Sequence, residues 1–316
     1  MSVHAKPQFA AEQQSNGAFQ RQQDAFRHWI VADPTARFSA ERDRYHLYVS
    51  LACPWAHRTL IARHVKCLED VIGLTVVDPE RDDRGWRFTD GPGHTIDPVN
   101  GFKFLSEAYR ATDATFQGRF TVPVLWDKKT RQIVNNSEDD LCRMFNDVFA
   151  AISRCDVNLF PIEIETEHAK LAAFIYERIN NGVYEAGFAT SQTEYERAAR
   201  ALFTALDDLE IRLATQRYLF GPRIVEADWR LFCTLIRFDA VYHGHFKCNL
   251  RRIVDYHHLH GYLRDLYQQP GIAGTVNLDH IKRHYYATHT EINPTGIVPL
   301  GPLLDLNAPH GREKLA

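Results

Sequence analysis

Hydrophobic positions along the chain fall into two regimes. In the first regime short β-branched runs alternate with single helical patterns. Tyr45 to Ser50 predicts a strand, and Pro54 to Lys66 a helix, since proline in the first helical turn forfeits no intrahelical N–H bond. Val71 to Val77 predicts a second strand. The stretch from Asp78 to Gly118 carries clusters of Gly, Pro and Asp and one short helical pattern around Phe104 to Arg110. A connection of that length inside a compact domain is usually functional. Val122 to Trp126 and Gln132 to Asn135 predict a hairpin around the turn residues Asp127 to Thr130. A helix follows from Ser137, with Leu141, Met144, Phe145 and Val148 on one face.

From about Glu163 the apolar spacing is almost entirely helical: Leu171, Phe174, Ile175 and Ile179, then Ala199, Leu202, Phe203, Leu206 and Leu213. That is the pattern of a helical bundle. Asn180-Asn181-Gly182 should break the first of these helices, and Ser191 with Glu194 forms a capping box that starts the next. The order β-α-β-long loop-β-β-α is that of thioredoxin-like, glutathione-binding domains. The expected fold is therefore an α/β thioredoxin-like N-terminal domain (41–150) followed by an all-α helical bundle (160–290). Residues 1–40 have weak periodicity, with Phe9, Phe19, Phe26 and Trp29 as apolar anchors, and read as a loosely packed extension. Residues 291–316 contain Pro294, Pro299 and Pro302 and should run extended, wrapping a surface or reaching a partner.

Composition narrows the function. With 316 residues, 45% hydrophobic and 24% charged, the chain can bury a full core. A formal charge of -3 leaves no excess of basic groups for phosphate neutralisation, so a nucleic-acid partner is not expected and a small molecule is. The first thirty residues hold no apolar stretch fit for a signal peptide or membrane helix, which reads as a cytoplasmic, membrane-free protein. The six cysteines (53, 67, 142, 155, 233 and 248) show no CxxC or zinc spacing, so neither a disulfide framework nor a structural metal is expected. His257, His258 and His260 lack matching Cys or carboxylate ligands and read as a surface cluster.

The chemistry concentrates at Ser50-Leu51-Ala52-Cys53-Pro54-Trp55-Ala56, where a thiol sits between the end of a strand and the start of a helix. Free N–H groups and the helix dipole favour negative charge there. A plain thiol has a pKa of about 8.5, and helix N-terminal thiols fall to roughly 3.5 to 7.5. Cys53 is thus the expected nucleophile, whereas an inert buried thiol suits Cys142 and Cys233 on apolar helical faces. Ala56 stands where a dithiol enzyme has its second cysteine, so a disulfide formed by Cys53 must be resolved by an external thiol. Val122-Pro123 has the look of a cis-proline whose preceding residue offers backbone groups to a bound peptide; an ordinary edge proline is the alternative. Ser137 and Glu138 open a helix, a seat for a carboxylate with Glu138 available for an amine.

Cys-Pro-Trp-Ala, the Val-Pro strand, Ile-Asn-Asn-Gly-Val-Tyr (179–184), Ala-Asp-Trp-Arg-Leu-Phe (227–232), Ile-Arg-Phe-Asp-Ala-Val-Tyr-His-Gly-His-Phe-Lys-Cys-Asn (236–249) and Ile-Asn-Pro-Thr-Gly-Ile-Val-Pro-Leu-Gly-Pro (292–302) together resemble the xi-class glutathione transferases, or glutathionyl-hydroquinone reductases. The resemblance runs over nearly the whole chain. It implies the glutathione transferase fold, glutathione as co-substrate, no metal, aromatic glutathionyl-hydroquinones as substrates and a homodimer. It also implies that Trp86, Arg119 and Val122 hold glutathione beside Ser137 and Glu138. In the same way it implies that Tyr184 and Tyr285 line the aromatic pocket and supply the proton the departing ring needs.

Two features depart from that pattern. Relatives carry Glu then Ser where this chain has Ser137 then Glu138, and Val225 stands where Ser or Thr usually caps the helix beginning Glu226-Ala227-Asp228, a loss of about 1 kcal/mol. Cys53 also permits a general glutathione-dependent thioltransferase or dehydroascorbate reductase resembling the omega class. A non-enzymatic binding protein that keeps the fold is a third reading.

Overall fold

The computed structural model describes residues 6–315. The chain divides into two compact units. Gln23–Leu159 joins Gly274–His284 in one; the chain up to Gln22, Phe160–Ala273 and the chain from Tyr285 form the other.

The first unit holds a four-stranded mixed sheet in the order β2-β1-β5-β6. Its strands are β1 (Tyr45–Val49), β2 (Ile72–Val76), β5 (Val124–Asp127) and β6 (Gln132–Asn135). β1 lies parallel to β2 and antiparallel to β5, and all five of its residues are buried, which is why its sequence reads as an unbroken run instead of an alternation. His46 is tolerated there because its Nε2 meets Thr75 Oγ1 at 2.7 Å and burial pulls its pKa down to about 4, keeping the ring neutral. Helix α1 (Pro54–Val65) begins on Pro54, and α3 (Glu138–Asp147) packs beside it.

Between β2 and β5 the long stretch carries a two-residue-per-strand hairpin, β3 (Arg81–Asp82) with β4 (Gly85–Trp86), and the short helix α2 (Leu105–Thr112). Carboxylates organise the rest. Asp78 accepts from Glu80 N at 2.9 Å, Arg87 Nε at 2.9 Å and Thr89 Oγ1 at 2.6 Å. Asp97 accepts from the amides of Val99, Asn100 and Phe102 and from Tyr48 Oη. Side chains that satisfy backbone donors in this way give a long connection a single shape without helix or strand period.

Residues 26–28 are not loosely packed. Asn136 N donates to Phe26 O and His28 N to Val134 O, each at 3.0 Å, so this segment covers the outer edge of β6. Arg27 grips Asp140 with two bonds of 2.5 and 2.8 Å. Of the expected anchors Phe19 is buried and Trp29 is 45% exposed, and Ile30 and Phe38 are buried as well. A second departure is a disulfide between Cys67 and Cys155, with a Cα–Cα distance of 5.6 Å. The two are 88 residues apart, so no local spacing announced it. They meet because the segment after α3 returns to the end of α1, where Lys66 Nζ donates to Val157 O at 2.5 Å and Ser153 Oγ to Lys66 O at 2.6 Å.

The second unit contains α4 (Glu165–Ile175), α5 (Gly182–Phe188), α6 (Gln192–Leu213), α7 (Glu226–Arg237), α8 (His257–Tyr267) and the last residues of α9 (Leu278–Thr288). The Asn-Asn-Gly break is real, and a π-helical turn, Tyr176–Asn180, leads into it. Ser191 caps α6 by accepting from Glu194 N at 3.4 Å. Residues of the N-terminal extension pack here: Phe9 and Phe19 lie 5.0 and 5.1 Å from the ring of Phe188. The described residues of the tail hold no helix, and Arg312 docks it by donating to the carbonyls of Leu213, the last residue of α6, and of Arg217 beyond it.

The side chain of Val225 cannot accept a hydrogen bond, yet α7 is capped. Asp228 Oδ2 accepts from Val225 N at 2.8 Å, and Ala227 N donates to His168 Nε2 of α4 at 3.2 Å. The imidazole, in the tautomer that leaves Nε2 bare, does the work of the missing hydroxyl. Asp228 itself is fully desolvated, which pushes its carboxyl up to about 6 despite bonds from Leu219 N and Tyr262 Oη.

His168→Ala should therefore lower the unfolding free energy by about 1 to 2 kcal/mol in urea titration, and Val225→Thr added to it should recover part of that loss. An unchanged midpoint in His168→Ala would remove the imidazole from this role.

Candidate active site

In the first unit Cys53 occupies the N-cap of α1 with extended backbone (φ -78°, ψ 122°). Its amide donates to Ser50 O at 3.1 Å and its carbonyl accepts from His57 N at 2.9 Å, so the strand-to-helix turn is closed on both sides of the thiol. Among the free cysteines, Cys142, Cys233 and Cys248 are buried and Cys53 is not. Its Sγ lies 3.5 Å from Val122 O, and the Val122–Pro123 peptide is cis. The segment before that proline is pinned by Tyr109 of α2. Its phenol donates to Thr121 O at 2.9 Å and accepts from Thr121 N at 3.1 Å and Asn136 Nδ2 at 3.3 Å.

Ser137 is the buried N-cap of α3, its amide held by Asn135 Oδ1 at 2.7 Å. Glu138, Asp139 and Asp140 fill the first turn, the favourable end of the dipole for acidic groups. Glu138 is buried, and desolvation pushes its carboxyl up to about 7 against the pull of Arg58. Arg58, buried on α1, reaches across to α3, with Nη2 at 2.5 Å from Asp139 Oδ1 and 3.4 Å from Glu138 Oε1. One guanidinium thus ties the helix that begins at the thiol to the helix that begins at the acidic cluster.

Trp86 sits on the β3–β4 hairpin, buried, with one face stacked on His284 at 4.6 Å between centroids and Arg81 5.6 Å from the ring. His284 is itself fixed, its Nδ1 donating to Pro79 O at 2.8 Å, while Arg283 binds Glu80 at 2.8 Å. Arg119 is half-buried in the connection leading to β5. Cys53 and Val122 are thus brought together, Ser137 and Glu138 lie one helix away, and Trp86 stands on its own hairpin.

In the second unit Tyr184 of α5 and Tyr285 of α9 meet in a short hydroxyl–hydroxyl contact, both rings buried. A third phenol, Tyr242, lies with its Oη 3.1 Å from that of Tyr285. Arg21 of the N-terminal extension sits over the ring of Tyr184 at 4.6 Å and donates to Asn181 Oδ1 at 3.2 Å. Sequence reading named neither Tyr242 nor Arg21, nor Arg58, Tyr109 and His284 of the first unit. The quoted motif at 236–249 contains Tyr242 but gives no sign that its hydroxyl joins the other two.

His257 and His258 lie edge to face at 4.7 Å, and among the described residues no group of three or more His, Cys, Asp or Glu is placed to hold a metal ion. No described helix is long and apolar enough to cross a membrane.

Residues 52–148 match the family model of the glutathione S-transferase N-terminal domain and residues 192–265 that of the C-terminal domain. The chain is 51% identical to the glutathionyl-hydroquinone reductase YqjG of Escherichia coli over 95% of this chain and 93% of that protein. It is 45% identical to the glutathionyl-hydroquinone reductase PcpF of Sphingobium chlorophenolicum over 91% of each. Among solved structures it superposes on a xi-class glutathione transferase from Natrialba magadii with a TM-score of 0.90, 50% identity and coverage of 92% of this chain and 89% of the other. The glutathione-bound structure of YqjG gives a TM-score of 0.89 at 51% identity, covering 92% and 96%.

Proposed function

Because the chain belongs to the xi-class glutathione transferases, the glutathionyl-hydroquinone reductase family, we propose that it reduces glutathionyl-hydroquinones to hydroquinones at the expense of glutathione. The observation that carries the assignment to particular atoms is Cys53 at the N-cap of α1, with its sulfur beside the Val122 carbonyl that precedes Pro123.

The reaction runs in two thiolate attacks on sulfur, the first breaking a thioether and the second a disulfide. Cys53 thiolate attacks the sulfur of the glutathionyl group, forming the Cys53–glutathione disulfide; the carbon–sulfur bond breaks and its electron pair stays on the ring carbon. That carbon takes a proton from the Tyr184–Tyr285 pair, which releases the hydroquinone and leaves a phenolate. A second glutathione thiolate then attacks the glutathione sulfur of the mixed disulfide, freeing Cys53 thiolate and oxidised glutathione, and its proton restores the phenol. Ala56, where a resolving thiol would stand, makes the external glutathione necessary.

For glutathione itself, the reading gives Val122 the backbone contacts of the cysteinyl portion, Trp86 an aromatic wall, Arg119 a carboxylate and the Ser137–Glu138 turn the γ-glutamyl end. With the acidic residue second in the pair, Glu138 remains the partner for the amine, and Ser137 presents its hydroxyl at the cap. A cytoplasmic homodimer completes the reading.

Steady-state release of hydroquinone from a glutathionyl-hydroquinone tests it. Wild type should turn over, Cys53→Ala should not, and the quinol thioether should be preferred to hydroxyethyl disulfide. Equal rates in both proteins would end the assignment, and preference for the disulfide would make the chain a general thioltransferase.

The raised carboxyl of Glu138 adds a pH dependence whose sign is fixed. Below about 7 it holds its proton and cannot pair with the glutathione ammonium; above that it is charged and can. Affinity for S-methylglutathione, which lacks a titrating thiol, should rise from pH 6 to pH 8 by calorimetry, and Glu138→Gln should be weak and flat across the same range.

A further inference from the structure

The unit that holds the thiol takes in Gly274–His284 as well as Gln23–Leu159, and its boundary with the helical unit falls between His284 and Tyr285. The chain thus returns to the thiol unit for one short segment after most of the helical unit has been laid down. What that segment touches is specific.

Its first contact is with α1. Thr275 Oγ1 lies 2.7 Å from Nε2 of His57, and both residues are buried. The amide of His57 is the one that closes on the carbonyl of Cys53, so the segment is anchored one helical turn from the thiol. Helix α9 then sends three side chains to the connection between β2 and α2. His280 Nε2 donates to Pro92 O at 2.6 Å. Arg283 donates to Glu80 Oε1 through Nε at 3.2 Å and Nη2 at 2.8 Å, and His284 Nδ1 donates to Pro79 O at 2.8 Å. Positions 280, 283 and 284 share one helical face, so a single surface grips the connection on both sides of the β3–β4 hairpin. The bond to Pro79 leaves the imidazole of His284 stacked on Trp86, with centroids 4.6 Å apart and the planes 27° from parallel.

We propose that residues 275–284 form a strap that fixes Trp86 relative to the thiol helix, with His284 the positioning residue that sets the plane of the indole for glutathione. The inference rests on the reading of Trp86 as a wall of the glutathione site. The hairpin that carries Trp86 pairs only Arg81 with Trp86 and Asp82 with Gly85, and so short a ladder needs packing against a helix to hold one shape. α9 supplies that packing. The Arg283–Glu80 pair is part-exposed on both sides and contributes little by itself. The buried imidazole is the stronger restraint, because a flat ring bonded to a backbone carbonyl admits one orientation of the indole stacked on it. His284 therefore acts through Trp86, and what it governs is the affinity for glutathione, not the reactivity of the sulfur.

Calorimetry with S-methylglutathione on the full chain tests this. His284→Ala should raise the Kd about threefold to tenfold, the factor an aromatic pair is worth. The KM for glutathione should rise by a similar factor, with kcat at saturation within about twofold of wild type. Alkylation of Cys53 by iodoacetamide, read by peptide mass spectrometry in the absence of glutathione, should keep its wild-type rate. His284→Phe keeps a ring against the indole and should recover most of the loss, whereas His284→Gln keeps only a donor for Pro79 and should recover little. That comparison decides the matter if His284→Ala does not fold. In a Trp86→Ala background, His284→Ala should cost nothing further.

Wild-type affinity in His284→Ala or His284→Gln, additive losses in the double variant, or a slowed alkylation of Cys53 would each overturn the proposal. If Trp86→Ala binds S-methylglutathione as tightly as wild type, the reading of Trp86 fails and this inference with it. A weakened Trp86→Ala beside an unchanged His284→Ala overturns the inference alone.

Discussion

The junction between β1 and α1 is the constraint on which the thiol unit is built. β1 is buried along its whole length and flanked by a strand on each side, so its end point is fixed by two ladders at once. Pro54 then starts a helix at the first residue able to lack an N–H without loss, and Cys53 is left at the cap, where unpaired amides and the helix dipole converge. A thiol one residue earlier would belong to the turn, and one residue later would be turned away by the helix. Arg58, one turn further along α1, ties this junction to the start of α3.

Charge in both units is held at helix ends and shared between elements. In the thiol unit, acidic side chains crowd the start of α3, and Arg58 sets the balance between burial and attraction at Glu138. In the helical unit, caps come from outside the helix they serve: His168 for α7, Glu210 for the amides of His258 and Leu259 at the start of α8, and Arg312 for the carbonyls ending α6. Such exchange lets an unfavourable local residue such as Val225 persist, because the orphan amide finds its acceptor in three dimensions.

The features legible in the sequence were those whose cause is local. Strand periods, the Pro54 start, the Asn180-Asn181-Gly182 break and the Ser191 cap each depend on a few neighbouring residues, and the structure has them within a residue or two of where they were expected. The place of Cys53 at the start of α1 was legible for the same reason. Tyr184 and Tyr285, 101 residues apart, were named only through family resemblance, and that their hydroxyls meet was not foreseen. What stayed hidden depends on distant partners or on a change of helical period. The Cys67–Cys155 bridge, the His168 cap, the packing of residues 26–28 on β6 and the stacking of His284 on Trp86 are contacts between remote segments. Tyr242 was missed because a π turn has no hydrophobic signature, so the face it presents could not be counted from the α-helical period.

The central claim is that Cys53 takes the glutathionyl group from the substrate before any second thiol acts. A single-turnover experiment tests it: enzyme is mixed with one equivalent of a glutathionyl-hydroquinone, free glutathione is omitted, and the protein is analysed by intact-mass and peptide mass spectrometry alongside the released quinol. One glutathionyl group on Cys53, formed in step with one hydroquinone, is the predicted result. Hydroquinone released with no adduct, or with the adduct on another cysteine, would contradict it.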